Sequence, residues 1–101
     1  MMKKLIIVLA VVLSASMAFA HTALMACFDE GDGTVTCEGG FSDGSSASGT
    51  KFRVEAGGKT VFEGKFNENS EINFKKPAGD YQAVLDAGAG HKVVVQSKDI
   101  N

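Results

Sequence analysis

Among its 101 residues the chain has one proline, two cysteines and two histidines, and beyond residue 20 it lacks any stretch of helical period longer than two turns. Each scarcity excludes something. Without a sustained 3.6-residue apolar stripe there is no helical layer to pack. Without clustered Lys and Arg there is no electrostatic footprint for nucleic acid or anionic lipid. The cysteines stand as C-x9-C, a spacing that fits no zinc or redox motif. Ser42, Ser45 and Ser46 lie near Asp43, but no base or orienting group marks them for nucleophilic catalysis, so the chain reads as a non-enzyme. The Gly-rich segments follow no strand-to-helix crossing, which excludes a phosphate cradle.

The strongly apolar sequence lies at the start. Met1-Met2-Lys3-Lys4 is followed by the apolar run Leu5 to Leu13 and then by small residues leading to Ala18-Phe19-Ala20. That order predicts a secretory signal peptide over residues 1–20, cut after Ala20, and a periplasmic or secreted product. An uncleaved signal anchor is the alternative. The run is broken by Ser14 and Ser16 and falls short of the roughly 20 apolar residues of a membrane-spanning helix. No cysteine follows the small residues, so no lipid anchor is expected there.

Cleavage would leave one domain of 81 residues, His21 to Asn101, and the loss of Lys3 and Lys4 leaves eight basic against twelve acidic residues, a formal net charge of −4. A chain of this size buries only about 60% of its unfolded surface, so a covalent staple matters. In an oxidising compartment the cysteine pair is expected to bridge as Cys27–Cys37, with free metal-binding thiols as the alternative.

Short alternating runs separated by Gly-rich turns recur every eight to twelve residues, the pattern of an all-β chain. The expected strands are His21 to Phe28, Thr34 to Glu38, Lys51 to Ala56, Thr60 to Phe66, Glu71 to Phe74, Tyr81 to Asp86 and His91 to Ser97. Seven strands in so few residues predict an antiparallel β-sandwich, transthyretin-like or immunoglobulin-like. Setting Cys27 opposite Cys37 leaves Gly31-Asp32-Gly33 as a three-residue hairpin loop. Gly39 to Gly49 reads as a polar, flexible surface connection with Phe41 as its anchor. The carboxylates Glu55, Glu63, Glu68 and Glu71 read as solvated charge. Asp29-Glu30-Gly31-Asp32-Gly33-Thr34 lacks the spacing and terminal Glu of a calcium loop, and reads as a hairpin turn.

From Gly49 to Asp86 the chain runs through a Gly-Gly turn, V-F-E-G-K-F, N-E-N-S, E-I-N-F and P-A-G-D-Y-Q-A-V-L-D. This half resembles the carboxypeptidase regulatory-like domain, which implies a transthyretin-like (prealbumin-like) sandwich and says little about function. Asn67 and Ser70 depart from that family's D-E-N-G turn, with Asn for Asp and Ser for Gly. A second resemblance is carried by C-E-G-G-F-S-D-G-S at Cys37 to Ser45 and D-A-G-A-G-H at Asp86 to His91. Together with the leader, these look like the small periplasmic accessory proteins of nickel and cobalt uptake transporters of the energy-coupling-factor type. That resemblance implies a non-catalytic partner of a membrane metal transporter.

The histidines carry the candidate metal chemistry. Cleavage after Ala20 would make His21 the first residue, offering its α-amine and ring nitrogen to one ion, with His91 as the second imidazole of a three-nitrogen, histidine-brace set. Amine and imidazole nitrogen suit nickel, cobalt, copper and zinc alike, and affinity alone favours copper. First and last strands commonly run side by side in such sandwiches, which would put both residues at one rim. Asp86 and Met25 are candidate further ligands or neighbours. Two unrelated surface histidines are the competing reading.

Overall fold

Alternation of apolar and polar side chains can bury one face of each strand only if two sheets close on each other, and that is the arrangement found. The structure, a computed structural model, describes residues 22–101; the expected leader and His21 lie outside the described residues. Among the described residues seven strands follow in chain order: β1 (Ala23–Asp29), β2 (Thr34–Phe41), β3 (Lys51–Ala56), β4 (Lys59–Lys65), β5 (Glu71–Lys75), β6 (Gln82–Asp86) and β7 (Lys92–Gln96). They form a three-stranded sheet of order β1-β2-β5 and a four-stranded sheet of order β4-β3-β6-β7. Every ladder is antiparallel. The chain is thus the seven-stranded antiparallel β-sandwich that the alternation predicts.

The hairpin β1-β2 sets the register of the first sheet. Cys27 lies opposite Cys37, and the Glu30 amide donates to the Thr34 carbonyl at 3.0 Å, leaving Gly31-Asp32-Gly33 as the loop. Gly31 and Gly33 take φ of 79° and 92°, a region open to glycine without Cβ strain. The expected disulfide is present, its Cα atoms 4.0 Å apart as befits a closely spaced pair of antiparallel neighbours.

Between the sheets, Phe52 of β3 is the centre of an aromatic cluster. Its ring centroid lies 5.5 Å from Phe66, 5.5 Å from Phe74 and 6.2 Å from Phe62, and Phe74 stacks edge-on to Tyr81 at 6.0 Å. Phe74 belongs to the other sheet, so the Phe52–Phe74 contact joins the two layers. Val35, Cys37, Val54, Ala83 and Leu85 complete a fully enclosed centre.

The expectation of a flexible surface connection over Gly39 to Gly49 is corrected. Gly39 to Phe41 belong to β2, Gly40 bridges Ser46, and Ala47 is wholly buried in the core. Backbone hydrogen bonds replace solvent along this segment: the Phe41 amide donates to the Ser45 carbonyl, the Gly49 amide to Phe66 and the Thr50 amide to Ala47. Ser70 clamps it from the neighbouring turn, its Oγ accepting from the Ala47 amide at 3.0 Å and lying 2.7 Å from the Ser46 hydroxyl. Ser70 holds φ of 60°, the left-handed region that favours glycine, and its hydroxyl contacts compensate for that conformation.

Two expected outcomes follow from this packing. Replacing both cysteines with Ala, which opens a loop whose ends are 10 residues apart, should lower unfolding free energy by about 2.5–3 kcal/mol in a urea titration. Because Cys37 is wholly buried, reductant should attack the bridge only as fast as the fold opens. Gly39→Ala should cost about 1–3 kcal/mol by calorimetry, since a Cβ there would sit 2.9 Å from Leu85 Cδ1, 3.0 Å from Ala47 Cβ and 3.1 Å from Phe66 Cε1.

Candidate functional site

Strand direction decides which residues share a rim. The Asp29 amide, at the end of β1, donates at 3.0 Å to the carbonyl of Asn101, which follows β7 after a short 3-10 turn (Ser97–Asp99), so β1 and β7 finish at the same end of the sandwich. The two strands are neighbours across the open sides of the sheets. Their starts therefore share the opposite rim, together with the 42–50 segment and the turn that follows β6.

His91 stands on that rim, immediately before β7, with its side chain exposed. Its backbone closes the β6-β7 hairpin: the Ala87 amide donates to the His91 carbonyl at 3.0 Å, and the His91 amide donates to Gly88 at 2.9 Å. His21 lies outside the described residues, so the His21/His91 pair is not placed by the structure. Thr22, the first described residue, is tied to Ser42: its amide donates to Ser42 Oγ at 3.1 Å and its carbonyl accepts from the Ser42 amide at 2.8 Å.

The further ligands considered from sequence have other roles. Met25 packs against the core from the inner face of β1. Asp86 accepts from Arg53 Nη1 at 2.8 Å and from the Gly88 amide at 3.0 Å, with Lys92 Nζ 3.9 Å away. Among the described residues no three His, Cys, Asp or Glu side chains gather in a way that could hold a metal ion. The Asp29 to Thr34 loop is likewise engaged with itself. Asp29 binds Lys76 Nζ at 2.7 Å and the Gly31 amide, while Asp32 accepts from the Thr34 amide and hydroxyl.

The most structured polar surface is one the sequence reading missed, the outer face of the four-stranded sheet. Arg53 of β3 donates through Nε to Glu55 at 2.8 Å and through Nη1 to Asp86 of β6. Gln82 donates to Glu55 and accepts from Gln96 of β7 at 3.1 Å. Glu55, expected to be merely solvated, is thus one node of a network crossing three strands. Val84 faces outward with this network yet is only 1% exposed. It lies directly opposite Arg53 in the ladder, a position where the aliphatic stem of an arginine can shield an apolar neighbour.

Arg53 and Glu55 stand two apart on one strand, a signal visible in sequence. Their partners on β6 and β7 depend on register, which is not visible there. The guanidinium beside each carboxylate holds both Glu55 and Asp86 below the ordinary carboxylate range, with Gln82 and the Gly88 amide adding to the effect. A lowered carboxylate value stabilises the fold above the ordinary value and loses that contribution as pH falls through the folded one.

Beside this network is a depression of about 560 Å³ over β3 and β4, lined by Lys51, Phe52, Arg53, Glu63, Gly64, Lys65 and Asp86. A second of about 450 Å³ reaches the rim through Gly49, Thr50, Ala87 and Gly88, sharing Lys51 and Asp86 with the first.

With these surfaces described, comparison with family models, curated proteins and solved structures gives no match to the chain.

The network makes acid sensitivity a diagnostic. Thermal stability should hold as pH falls from 7 to about 5 and decline from about 4 downward, as Glu55, Asp86, Asp29 and Asp32 protonate. Arg53→Gln should flatten that decline, because the partner that lowers Glu55 and Asp86 is gone. An unchanged acid limb in the variant would remove Arg53 from the account.

Proposed function

We propose that the chain is an exported, non-catalytic accessory protein of transition-metal uptake, for nickel or cobalt, acting beside a membrane transporter. The leader is removed after Ala20, and the freed amine and ring of His21 with the ring of His91 supply three nitrogen donors to nickel, cobalt or copper. The observation that carries this reading is the rim shared by the starts of β1 and β7, with His91 exposed upon it. The resemblance of Cys37 to Ser45 and Asp86 to His91 to nickel and cobalt accessory proteins supports the same reading. The likeness of Gly49 to Asp86 to carboxypeptidase regulatory-like domains agrees with a binding frame in place of a catalyst.

The chain's residues have divided roles in this scheme. The β6-β7 hairpin fixes the backbone of His91, and the Thr22–Ser42 pair fixes the start of β1. A bound ion would draw amine and imidazole nitrogens together, and since these must be deprotonated, binding weakens as pH falls below about 6.

A second reading is a structural or interaction module without metal. Its support is the outer face of β1, where Leu24 is 52% and Phe28 45% exposed with Ala26 between them, an apolar stripe on a sheet edge.

Titration of protein beginning at His21 with Ni(II) and Cu(II), beside protein carrying one extra residue before His21, separates the two. The first reading expects binding that falls at least tenfold in the extended protein and in His91→Ala. Equal affinity in all three, or no binding, leaves the interaction module.

A further inference from the structure

The outer face of the four-stranded sheet carries its charge unevenly. Across β4, β3, β6 and β7 one row of residues reads Lys65, Lys51, Asp86, Lys92, each directly opposite the next. Asp86 is committed to Arg53 and approached by Lys92. Lys51 and Lys65 have no carboxylate within ion-pair distance among the described residues. Like charges directly opposite across a ladder are destabilising, so this pair weakens the free protein slightly.

Both lysines stand on the wall of the 560 Å³ depression. The side chain of Phe52 is buried in the core, and Gly64, opposite Phe52, has none, so backbone forms the depression's floor. Glu63 shares the wall, without an ion pair among the described residues, and partly offsets the two cations. The face as a whole bears Lys51, Arg53, Lys65 and Lys92 against Glu55, Glu63 and Asp86. It is therefore net positive on a chain whose described residues hold twelve acidic and eight basic side chains. This positive face on an acidic body is what an acidic partner would recognise, and its small size and interspersed carboxylates suit a polypeptide better than a lipid surface.

We propose that Lys51 and Lys65 receive carboxylate side chains of an acidic, extended segment of a partner protein, seated in the depression over β3 and β4. The row from Lys65 to Lys92 covers three strand spacings, roughly 14 Å, which an extended segment of about five residues spans. Arg53 is neutralised by Glu55 and Asp86 and shapes the wall; Lys51 and Lys65 supply the attraction. This docking surface is independent of the metal reading, since it uses neither histidine.

The probe is a capped peptide alternating Glu and Gly over seven residues, titrated at low salt into uniformly ¹⁵N-labelled protein beginning at His21, with the matching Lys-Gly peptide as control. Saturable amide shifts are expected at Lys51, Phe52, Gly64 and Lys65, weakening several-fold when salt rises from about 50 to 200 mM. Lys51→Gln and Lys65→Gln should each weaken binding at least threefold, and Glu63→Gln should tighten it about twofold. All three positions are exposed on the outer face, and a single cooperative melting transition verifies that each variant folds. Equal shifts at Lys75, Lys76 and Lys98, binding of the Lys-Gly peptide, or indifference to Lys51 and Lys65 would overturn the proposal.

Discussion

The contact between Phe52 and Phe74 is the one on which the rest depends, because it is where two sheets become one core. Neither sheet of this chain is stable alone: each has one apolar face, which the other must cover. The rings can meet because other positions are small. A Cβ on Gly39 would collide with Leu85 and Phe66, and one on Gly64 would stand 2.9 Å from Ile72 Cδ1. Large side chains from one layer therefore project into gaps left by glycine in the other, and the sheet-to-sheet distance follows from that fit. Once it is set, so are both rims.

The disulfide acts on a different weakness. Among the described residues β1 is an edge strand that pairs with β2 alone, and it carries no charge, proline or bulge from Ala23 to Phe28. Such an edge would fray first, and its start is where His21 would be held. Cys27–Cys37 anchors it to β2, which is paired on both sides and wholly buried at Cys37. The staple therefore preserves the strand on which the proposed chelate depends, while the Asp29–Asn101 hydrogen bond secures the far end.

Alternation was enough to read the strands, since Phe52/Val54, Ile72/Phe74 and Ala83/Leu85 each mark an inner face by period two alone. Gly39 to Gly49 was misread because its composition is that of a linker, while its order comes from distant partners: Ser70 in another turn and Leu85 in another sheet. Val84 falls on the outer face by alternation and yet is enclosed, and the register that sets Arg53 opposite it is not written in either strand separately. The Arg53 network was illegible for the same reason. His91 was legible as a rim residue from its place between β6 and β7, whereas its pairing with His21 depends on a residue outside those described.

The two proposed surfaces share no binding residue, and Asp86 stands between them in the hydrogen bonding of the sheet. One carboxylate oxygen accepts from Arg53 on the sheet face, and the other accepts from the Gly88 amide at the start of the loop that ends in His91. A charge brought to Lys51 acts on a residue directly opposite Asp86 in the ladder. Asp86 would then divide its attraction between Arg53, Lys92 and a new arrangement of neighbours, with the Gly88 hydrogen bond exposed to the change. The hairpin is short and its backbone is closed by His91 itself, so Asp86 and the His91 backbone stand at the two ends of one tight turn. A docked acidic segment would thus act on Asp86 and through it on the Gly88 hydrogen bond, while the histidines themselves stay outside the docking surface.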